Sequence, residues 1–352
     1  MDSGKQGTAR IGFVSRLPPV PCGIATTYVG LLPHLQKKAH LVTIGVLGSK
    51  ADYQVDFKAW NLKEQVQSIV EKEQLDLVHF QYIAPFYSKA LNLNFLRALR
   101  LSVPVVVTLH EVQEPGTSFR NKALRFIERR IVEKADAIIV HTPKQAEFIN
   151  KAYQTDKASC ILYGFEPKNI KRKTGKRVLF FGILSESKGV EYAIEAVKGL
   201  KGVTLSIVAA TNSPQTKVYG ERVKALSKGK KNIQVVLKDW IDTKARDIWY
   251  ANSDVLVLPY LWAPYQSAVM TDAGKYGIPV VVTKVGAVWE MVGKFGCGEI
   301  VEPRNAKALA NALKTVLEHQ EKYKQGIEAY RKEASWSAVA EQHLNLYERI
   351  LR

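Results

Sequence analysis

Three short segments, each directly after an apolar run, carry the residue types that could do chemistry. Lys188 lies in the segment SESKG at 185–189, His110 and Glu111 follow the run VPVVVTL, and residues 21–24 (PCGI) follow the run RIGFVS. A lysine ammonium, the N–H groups of a helix N-terminus and a glycine that permits close backbone approach together suit a phosphate group. Histidine can give or take a proton near neutral pH. These segments therefore predict a phosphate site and a polar catalytic group.

The sequence lacks the motifs that identify several other kinds of site. The sequence contains no G-x-G-x-x-G after the first apolar run, no G-x-x-x-x-G-K-[ST], no H-E-x-x-H and no G-x-S-x-G. It also lacks D-x-D, the acidic pair with which some nucleotide-sugar enzymes hold a divalent cation, and its three cysteines have no C-x-x-C spacing. We therefore expect no metal site and no cofactor.

The elements that position these residues alternate between short apolar strands and helices. In the first half, the pattern predicts strands at 10–15, 41–47, 75–81, 103–110 and 137–142, with helices near 28–36, 61–73 and 118–134. The strands are rich in Val and Ile and apolar on both faces, which is typical of a parallel sheet covered by helices. Ligands of such doubly wound sheets bind at the carboxyl ends of the strands, where the candidate residues lie.

A second alternation follows the basic segment EPKNIKRKTGKR at 166–177, which is the best candidate for a linker. Its strands are predicted at 178–183, 203–210, 233–237, 254–260 and 278–283, and the chain closes with an amphipathic helix in SWSAVAEQHLNLYERILR. A length of 352 residues and 46% hydrophobic residues agree with two α/β domains. The closing helix could pack back across the first domain.

The charge and the lack of export signals limit where the protein works. The formal net charge of +18 favours polyanions or an anionic membrane surface, and the sequence has neither a run of about 18 apolar residues nor the apolar core of a signal peptide. We therefore expect a cytosolic protein, with peripheral contact at the inner face of the membrane as an alternative. Segment 118–135 is the candidate for that contact, because arginines surround its apolar stripe. A surface helix whose apolar stripe packs on the core explains this segment better.

Motifs along nearly the whole chain resemble the GT-B glycosyltransferases of the retaining family-four type. They are PPVPCGIATTYVGLL, VTLHEV, ADAIIVHT, FFGILSESKGVEYAIEA, SDVLVLPY, DAGKYGIPVVVTKVGAVWEMV and SWSAVAEQHLNLYERIL. The resemblance implies two Rossmann-like doubly wound domains facing a cleft. It predicts an acceptor domain at 1–168, a donor domain at 169–335 and a helix at 336–352 that returns to the first domain.

The resemblance also assigns roles to individual residues. In the donor domain it implies that Lys188 neutralises the diphosphate, that Asp272 binds the ribose hydroxyls, and that Glu290 lies near the donor. The donor loop Gln266, Ser267 and Ala268 would offer backbone N–H groups to the sugar or phosphates. In the first domain, Gly23 and Ile24 would approach the donor closely and His110 would lie beside the transferred sugar.

Two departures from the family pattern concern the donor domain. Pro264 occupies the position of the first of two family carboxylates, so the loop resembles a subtype in which Gln-Ser replaces it. Gly182, Ile183 and Leu184 replace the usual Gly-Arg-Leu, so one of two diphosphate-binding cations is absent.

Each assignment has an ordinary structural alternative. Gly23 could be a turn glycine, Lys188 a solvated surface lysine, Asp272 a carboxylate near a helix N-terminus, and His110 a core histidine. Gln266 and Ser267 could serve only loop packing, and His79 and His141, also predicted at strand ends, are better explained as packing residues.

The motifs and the resemblance together predict a metal-independent hexosyltransferase, and the resemblance alone implies that it retains the anomeric configuration. Its expected partners are a UDP-, GDP- or ADP-hexose and a glycan or lipid acceptor, with no nucleic acid. Two alternatives stay open: a GT-B nucleotide-sugar epimerase, and a catalytically silent GT-B binding protein.

Overall fold

The computed structural model describes residues 8–20, 23–87, 92–112, 119–170, 175–263 and 267–352. The chain divides into two compact units: unit 1 is Met1–Gly164 with Ala334–Arg352, and unit 2 is Phe165–Glu333. Each unit has one parallel sheet with helices between its strands. This is the α/β, Rossmann-like architecture that the sequence predicts.

Unit 1 is built on a sheet of seven parallel strands. Its strands are β1 (Arg10–Ser15), β2 (His40–Val46), β3 (Tyr53–Val55), β4 (Leu77–Tyr82), β5 (Val105–Leu109), β6 (Ala137–Val140) and β7 (Ala158–Cys160). Their order is β3-β2-β1-β4-β5-β6-β7, so the direction of winding reverses between β1 and β4. All six residues of β4 are buried, as expected for a strand covered on both faces.

The helices of unit 1 include the last one of the chain. They are α1 (Gly23–Leu35), α2 (Leu62–Glu73), α3 (Leu93–Ala98), α4 (Phe119–Lys134), α5 (Pro143–Tyr153) and α13 (Trp336–Leu351). The buried face of α13 joins the core of unit 1. Trp336 lies so close to α1 that a Cβ atom at Gly30 would be 2.1 Å from its Nε1 atom, so this contact requires glycine.

Unit 2 repeats the same strand order with six strands. They are β8 (Arg177–Ile183), β9 (Thr204–Ala210), β10 (Ile233–Lys238), β11 (Val255–Leu258), β12 (Val280–Thr283) and β13 (Gly298–Val301). The order is β10-β9-β8-β11-β12-β13, which reverses between β8 and β11. Its helices are α6 (Val190–Lys198), α7 (Pro214–Ser227), α8 (Thr243–Ala251), α9 (Ala268–Tyr276), α10 (Val288–Phe295), α11 (Ala306–Glu318) and α12 (Glu321–Glu333).

The reversal point is clamped in the same way in both units. In unit 1 the backbone N–H of Arg10 donates to Asp76 Oδ2 at 2.7 Å, and the N–H of Asp76 donates to the Arg10 carbonyl at 2.8 Å. In unit 2, Arg177 and Asp254 exchange the corresponding bonds at 3.0 and 2.9 Å. An aspartate before the fourth strand therefore fixes the register of the two strands that flank each reversal point.

The structure differs from the predicted elements in its shortest strands. The sequence pattern did not predict β3, β7 and β13, which have three or four residues each. β3 and β7 have too few residues for an alternation to be recognised, and β13 (GEIV) has a glycine and a glutamate among its four residues. The prediction that His79 ends a strand is wrong, because His79 is the third residue of β4.

Candidate functional site

In unit 2, the segment around Lys188 is held against the chain that follows β11. After β8, a single 3-10 turn spans Glu186–Lys188, and the carbonyl of Ser187 accepts the N–H of Leu261 at 2.8 Å. Gly189 has a φ of +59°, and a Cβ atom there would be 2.2 Å from the Pro259 carbonyl oxygen. This close approach requires glycine and places Lys188 at the carboxyl ends of β8 and β11, where the sheet reverses.

Lys188 is a half-buried cation supported by an aromatic ring. Its Nζ atom lies 3.8 Å from the centroid of the buried Tyr260 ring, within cation–π distance. Burial lowers the pKa of Lys188 to about 8 and raises that of Tyr260 to about 12. Within the described ranges no carboxylate pairs with Lys188, so an anion placed here would recover the charge interaction that burial weakens.

The Tyr260 hydroxyl also contacts the N-terminus of α9. Ser267 caps this helix by accepting the N–H of Val269 at 3.3 Å, and the Tyr260 hydroxyl lies 3.4 Å from Ser267 Oγ. Ala268, the first residue of α9, is exposed. N–H groups in a first helical turn favour an anion, so Tyr260 brings two anion-attracting groups together. Gln266 and Pro264 lie outside the described residues.

The two predicted carboxylates of unit 2 occupy different surroundings. Asp272, in the second turn of α9, is 6% exposed; Tyr250 donates to its Oδ2 at 3.3 Å, and the Arg246 guanidinium lies 3.6 Å away. Burial raises the pKa of Asp272, although Arg246 opposes this effect. Glu290 is buried in the first turn of α10. The ribose and donor roles of these two residues remain predictions.

At the strand that precedes Lys188, Ile183 is 52% exposed. It stands where the family pattern has an arginine, so an apolar side chain faces solvent at the carboxyl end of β8.

In unit 1, Gly23 and Ile24 form the start of α1, and Pro21 and Cys22 lie outside the described residues.

In unit 1, His110 is buried and both of its ring nitrogens have polar neighbours. It is the first residue after β5, its Nδ1 atom lies 2.6 Å from the Tyr163 hydroxyl, and its Nε2 atom lies 2.9 Å from Gln81 Oε1. Such contacts are those expected of a core histidine. The catalytic role of His110 remains a prediction, and Tyr163, which is only half-buried, is the neighbour nearest to solvent.

His110 belongs to a larger network of buried histidines. His141, the first residue after β6, places its Nε2 atom 3.2 Å from His110 Nδ1. On β4, His79 contacts the Gln81 amide at 3.1 Å, the Thr108 hydroxyl at 2.7 Å and, through Nδ1, the Tyr347 hydroxyl of α13 at 2.7 Å. The network therefore joins β4, β5, β6 and α13.

Burial keeps these histidines neutral. It lowers the pKa of His79 and His110 well below the usual value, and it lowers the pKa of His141 and of His343, on α13, to about 4. The histidines also lower each other's pKa by mutual repulsion of their charged forms. At neutral pH the carboxyl edge of β4, β5 and β6 is therefore polar but carries no histidine charge.

Sequence reasoning did not single out Tyr260, Gln81 or Tyr163. Two signals were available: Tyr260 closes the run DVLVLPY, and Gln81 is two residues after His79, so the two share a face of β4. Tyr163 follows a strand too short to recognise.

The described residues contain neither a membrane-spanning helix nor a cluster of metal ligands. No described helix combines the length and apolar character that crossing a bilayer requires. Within the same ranges, no three His, Cys, Asp or Glu side chains are grouped as metal ligands.

Two family models match consecutive parts of the chain. The model described as glycosyl transferases group 1 matches residues 165–333, and the model described as glycosyltransferase family 4 matches residues 22–165. Together they span nearly all of units 1 and 2.

Curated relatives are distant. An uncharacterized protein of the cps region of Klebsiella pneumoniae is 22% identical over 55% of this chain and 56% of its own length. The chain thus spans little more than half of that relative. A D-inositol 3-phosphate glycosyltransferase of Corynebacterium glutamicum is 25% identical over 79% of this chain and 73% of its own.

Solved structures share the fold over nearly the whole chain. A glycosyltransferase from Rickettsia africae has a TM-score of 0.74 at 18% identity and covers 98% of this chain and 99% of its own. Anabaena HepE in complex with UDP and glucose has a TM-score of 0.73 at 16% identity, with coverage of 97% and 100%. Both identify the two-domain GT-B fold.

Proposed function

We propose that this chain, which belongs to the group 1 glycosyltransferases, transfers a hexose from a nucleotide sugar to a glycan or lipid-linked acceptor with retention of anomeric configuration. The main support is Lys188, a half-buried cation on the Tyr260 ring beside the N-terminus of α9. A nucleotide-sugar donor agrees with the complexes of Anabaena HepE with UDP, glucose and UDP-glucose.

In this proposal, unit 2 binds the donor. The Lys188 ammonium and the N–H groups near Ser267 and Ala268 stabilise the charge that develops on the departing diphosphate, which is a favourable use of preorganised donors. Gln266 belongs to the same loop, which resembles the Gln-Ser subtype. Asp272 would bind the ribose and would have to exchange its contact with Tyr250 for a ribose hydroxyl.

The remaining donor contacts are proposed from the family pattern. Glu290, in the first turn of α10, would contact the donor sugar. Gly23 and Ile24, at the start of α1, would allow the backbone of unit 1 to approach the donor. His110 would act on the transfer step, because it ends the β5 strand at the edge where ligands of doubly wound sheets bind.

The reaction is proposed to need no metal ion. In enzymes that bind the diphosphate through a metal, an acidic pair holds the cation, and the sequence lacks D-x-D. Here the positive charge would come from Lys188 and from the α9 N-terminus. Retention of configuration rests on the family resemblance alone.

A nucleotide screen followed by product analysis tests the proposal. Thermal shifts with UDP-, GDP- and ADP-hexoses identify the base of the donor. Lys198 is an exposed lysine that pairs with Glu195 on α6, so Lys198→Ala serves as the control for Lys188→Ala. We expect one nucleotide to raise the melting temperature of the wild type and of Lys198→Ala but not that of Lys188→Ala. NMR of the product should show a glycosidic bond with the same axial or equatorial configuration as the donor. Failure of every nucleoside diphosphate to bind would contradict the proposal and favour a catalytically silent protein.

Peripheral membrane contact through 118–135 is proposed as an accompanying property. On α4, Phe126 is 48% exposed, and Arg129 and Arg130 flank it, although both pair with Glu133 at 2.9 Å. A basic amphipathic helix of this kind can lie on an anionic membrane. Flotation with vesicles containing anionic lipid should recover the protein, and Phe126→Ala should reduce that recovery; equal recovery with neutral vesicles would contradict the proposal.

A further inference from the structure

The direction of the hydrogen bonds in the histidine network is determined at one end by a backbone carbonyl. His141 Nδ1 lies 2.9 Å from the carbonyl oxygen of Ile161. A carbonyl oxygen can only accept, so the Nδ1 atom of His141 carries a proton and donates it. Because burial keeps His141 neutral, its Nε2 atom has no proton and presents a lone pair.

That lone pair determines the proton on His110. The two atoms His141 Nε2 and His110 Nδ1 are 3.2 Å apart in a buried environment. If His110 Nδ1 were also unprotonated, two lone pairs would face each other, and both acceptors would lack that bond at a cost that burial increases. The contact becomes a hydrogen bond only if His110 Nδ1 carries the proton. The Tyr163 hydroxyl oxygen, 2.6 Å from the same nitrogen, can accept a share of it.

The rest of the network can adopt the matching direction. With its proton on Nδ1, neutral His110 presents a bare Nε2 atom to the Gln81 amide, whose two ends are nearly isosteric and exchange by a half rotation. In the structure the Gln81 oxygen faces His110 and its NH₂ group faces His79. After the half rotation, the NH₂ group donates to His110 and the oxygen accepts from His79. His79 donates from Nε2, and its Nδ1 atom accepts the proton of the Tyr347 hydroxyl. Each contact from Ile161 to Tyr347 then has a donor and an acceptor. The Nδ1 proton of His110 is shared between His141 and Tyr163, and the Nε2 proton of His79 between Gln81 and Thr108.

The proton of His110 lies on the side of the network that is closest to solvent. His79, Gln81, His110, His141 and Tyr347 are at most 5% exposed, whereas Tyr163 is half-buried. The Nδ1 atom of His110 faces Tyr163, and its Nε2 atom faces the buried Gln81. A substrate oxygen that reaches His110 on this side would therefore replace Tyr163 as the second acceptor of an N–H group whose first acceptor is His141 Nε2.

We propose that His141 is a positioning residue that holds His110 in the Nδ1–H tautomer, so that His110 acts on the substrate as a hydrogen-bond donor and not as a general base. The step to substrate rests on the proposed role of His110 in transfer. The tautomer itself rests only on contacts within unit 1. Like the carboxylate of a hydrolytic triad, His141 would fix the tautomer of a neighbouring histidine, but it would accept the same proton that His110 presents to the substrate.

The first experiment observes the tautomer directly in the full-length wild-type protein. Long-range ¹H–¹⁵N correlation spectra of protein labelled with ¹⁵N-histidine at pH 7.5 distinguish Nδ1–H from Nε2–H rings, and the spectrum of His110→Gln assigns the His110 signals. We expect His110 as a neutral Nδ1–H ring. An Nε2–H ring at His110 would overturn the proposal, whatever the protein's activity.

The second experiment compares two replacements of His141. Leu removes the acceptor, while Gln can place an oxygen where Nε2 lies. In His141→Leu we expect His110 to lose its single tautomer and kcat to fall by roughly tenfold or more, a usual size for loss of an orienting partner, with unchanged affinity for the nucleotide found in the screen. His141→Gln should restore the tautomer and most of kcat.

The outcomes separate this inference from the proposed function. Equal losses of kcat in both variants, in proportion to lower melting temperatures, would reduce His141 to a packing residue and overturn the inference. A protein that transfers no sugar but shows the Nδ1–H ring at His110, lost in His141→Leu and regained in His141→Gln, would refute the proposed function while supporting the positioning role. If His141→Leu does not fold, the wild-type spectrum and His141→Gln still decide.

Discussion

The two parallel sheets have the same strand order but opposite chemistry at their carboxyl edges. In unit 1, strands β4, β5 and β6 carry a network of neutral histidines, whose nitrogens contact other side chains and the Ile161 carbonyl. In unit 2, the reversal point between β8 and β11 carries Lys188, a cation on an aromatic ring with no described carboxylate partner. At the first edge, all ring nitrogens of His79, His110 and His141 have partners within the protein, and the second edge is complementary to an anion that the described residues do not supply.

The difference shows how each edge avoids the cost of buried charge. A histidine escapes that cost by staying neutral, because its ordinary pKa of about 6.5 is already below neutral pH. A lysine loses its proton less readily, so half-burial of Lys188 is acceptable only with compensation from the Tyr260 ring and from a bound anion. The first solution suits a fixed scaffold, and the second suits a ligand site.

Lowering the pH should have the largest effect, because protonation of buried histidines destabilises unit 1 and not the Lys188 edge of unit 2. His79, His110, His141 and His343 have folded pKa values below about 6.5, so the unfolded chain binds protons below that pH before the folded chain does. Stability is therefore full above pH 6.5 and falls as pH decreases towards 4. The expected loss between pH 7.5 and 5 is on the order of 1–2 kcal/mol per histidine.

Hydrogen exchange followed by mass spectrometry at pH 7.5 and 5, corrected for intrinsic rates, measures this loss in each unit. Peptides of unit 2 are the internal control, because its one histidine, His319, is exposed. Equal loss of protection in both units would show that the histidine network is not the cause.

Removing His110 should have the next largest effect. We expect His110→Ala to lower kcat by roughly 10²-fold or more, as loss of a positioned catalytic group does, and to leave nucleoside diphosphate affinity nearly unchanged, because Lys188 is proposed to hold the nucleotide. Melting temperature, affinity and kcat measured on one preparation separate the roles. A less stable variant with full turnover would make His110 a core histidine only.

Lys188→Ala tests the other edge. Loss of a charged hydrogen bond should weaken binding of the nucleoside diphosphate by about 1.5–3 kcal/mol, and Lys198→Ala should bind as the wild type does. Isothermal titration calorimetry measures both. An affinity that does not change in folded Lys188→Ala would place the phosphates elsewhere and remove the contrast between the two edges.

Chelation should have the smallest effect, namely none. If Lys188 and the α9 N-terminus supply the positive charge, turnover in EDTA should equal turnover without it. Activity that EDTA abolishes and added magnesium or manganese restores would mean that a metal ion shares the work assigned to Lys188.

Much of the fold could be predicted because it depends on local patterns. The apolar runs predict β1, β4, β5, β8 and β11, and helical spacing predicts α2 at 61–73, which the structure has at Leu62–Glu73. The clamp between Arg177 and Asp254 could not be predicted, because it joins residues far apart in the chain. Strands β3, β7 and β13, which the sequence pattern did not predict, form only because the sheet provides partners for them.

Within the sites, the sequence by itself determined which residues stand at strand ends. Lys188 and His110 follow apolar runs, and a parallel sheet must bring such ends to one edge. Only the tertiary structure decided what surrounds them: Tyr260 beneath the Lys188 ammonium, Gln81 and His141 at the two nitrogens of His110, and Tyr347 of the last helix against His79. The charge state and proton position of a buried group depend on those neighbours, and neighbours distant in sequence exist only once the chain has packed.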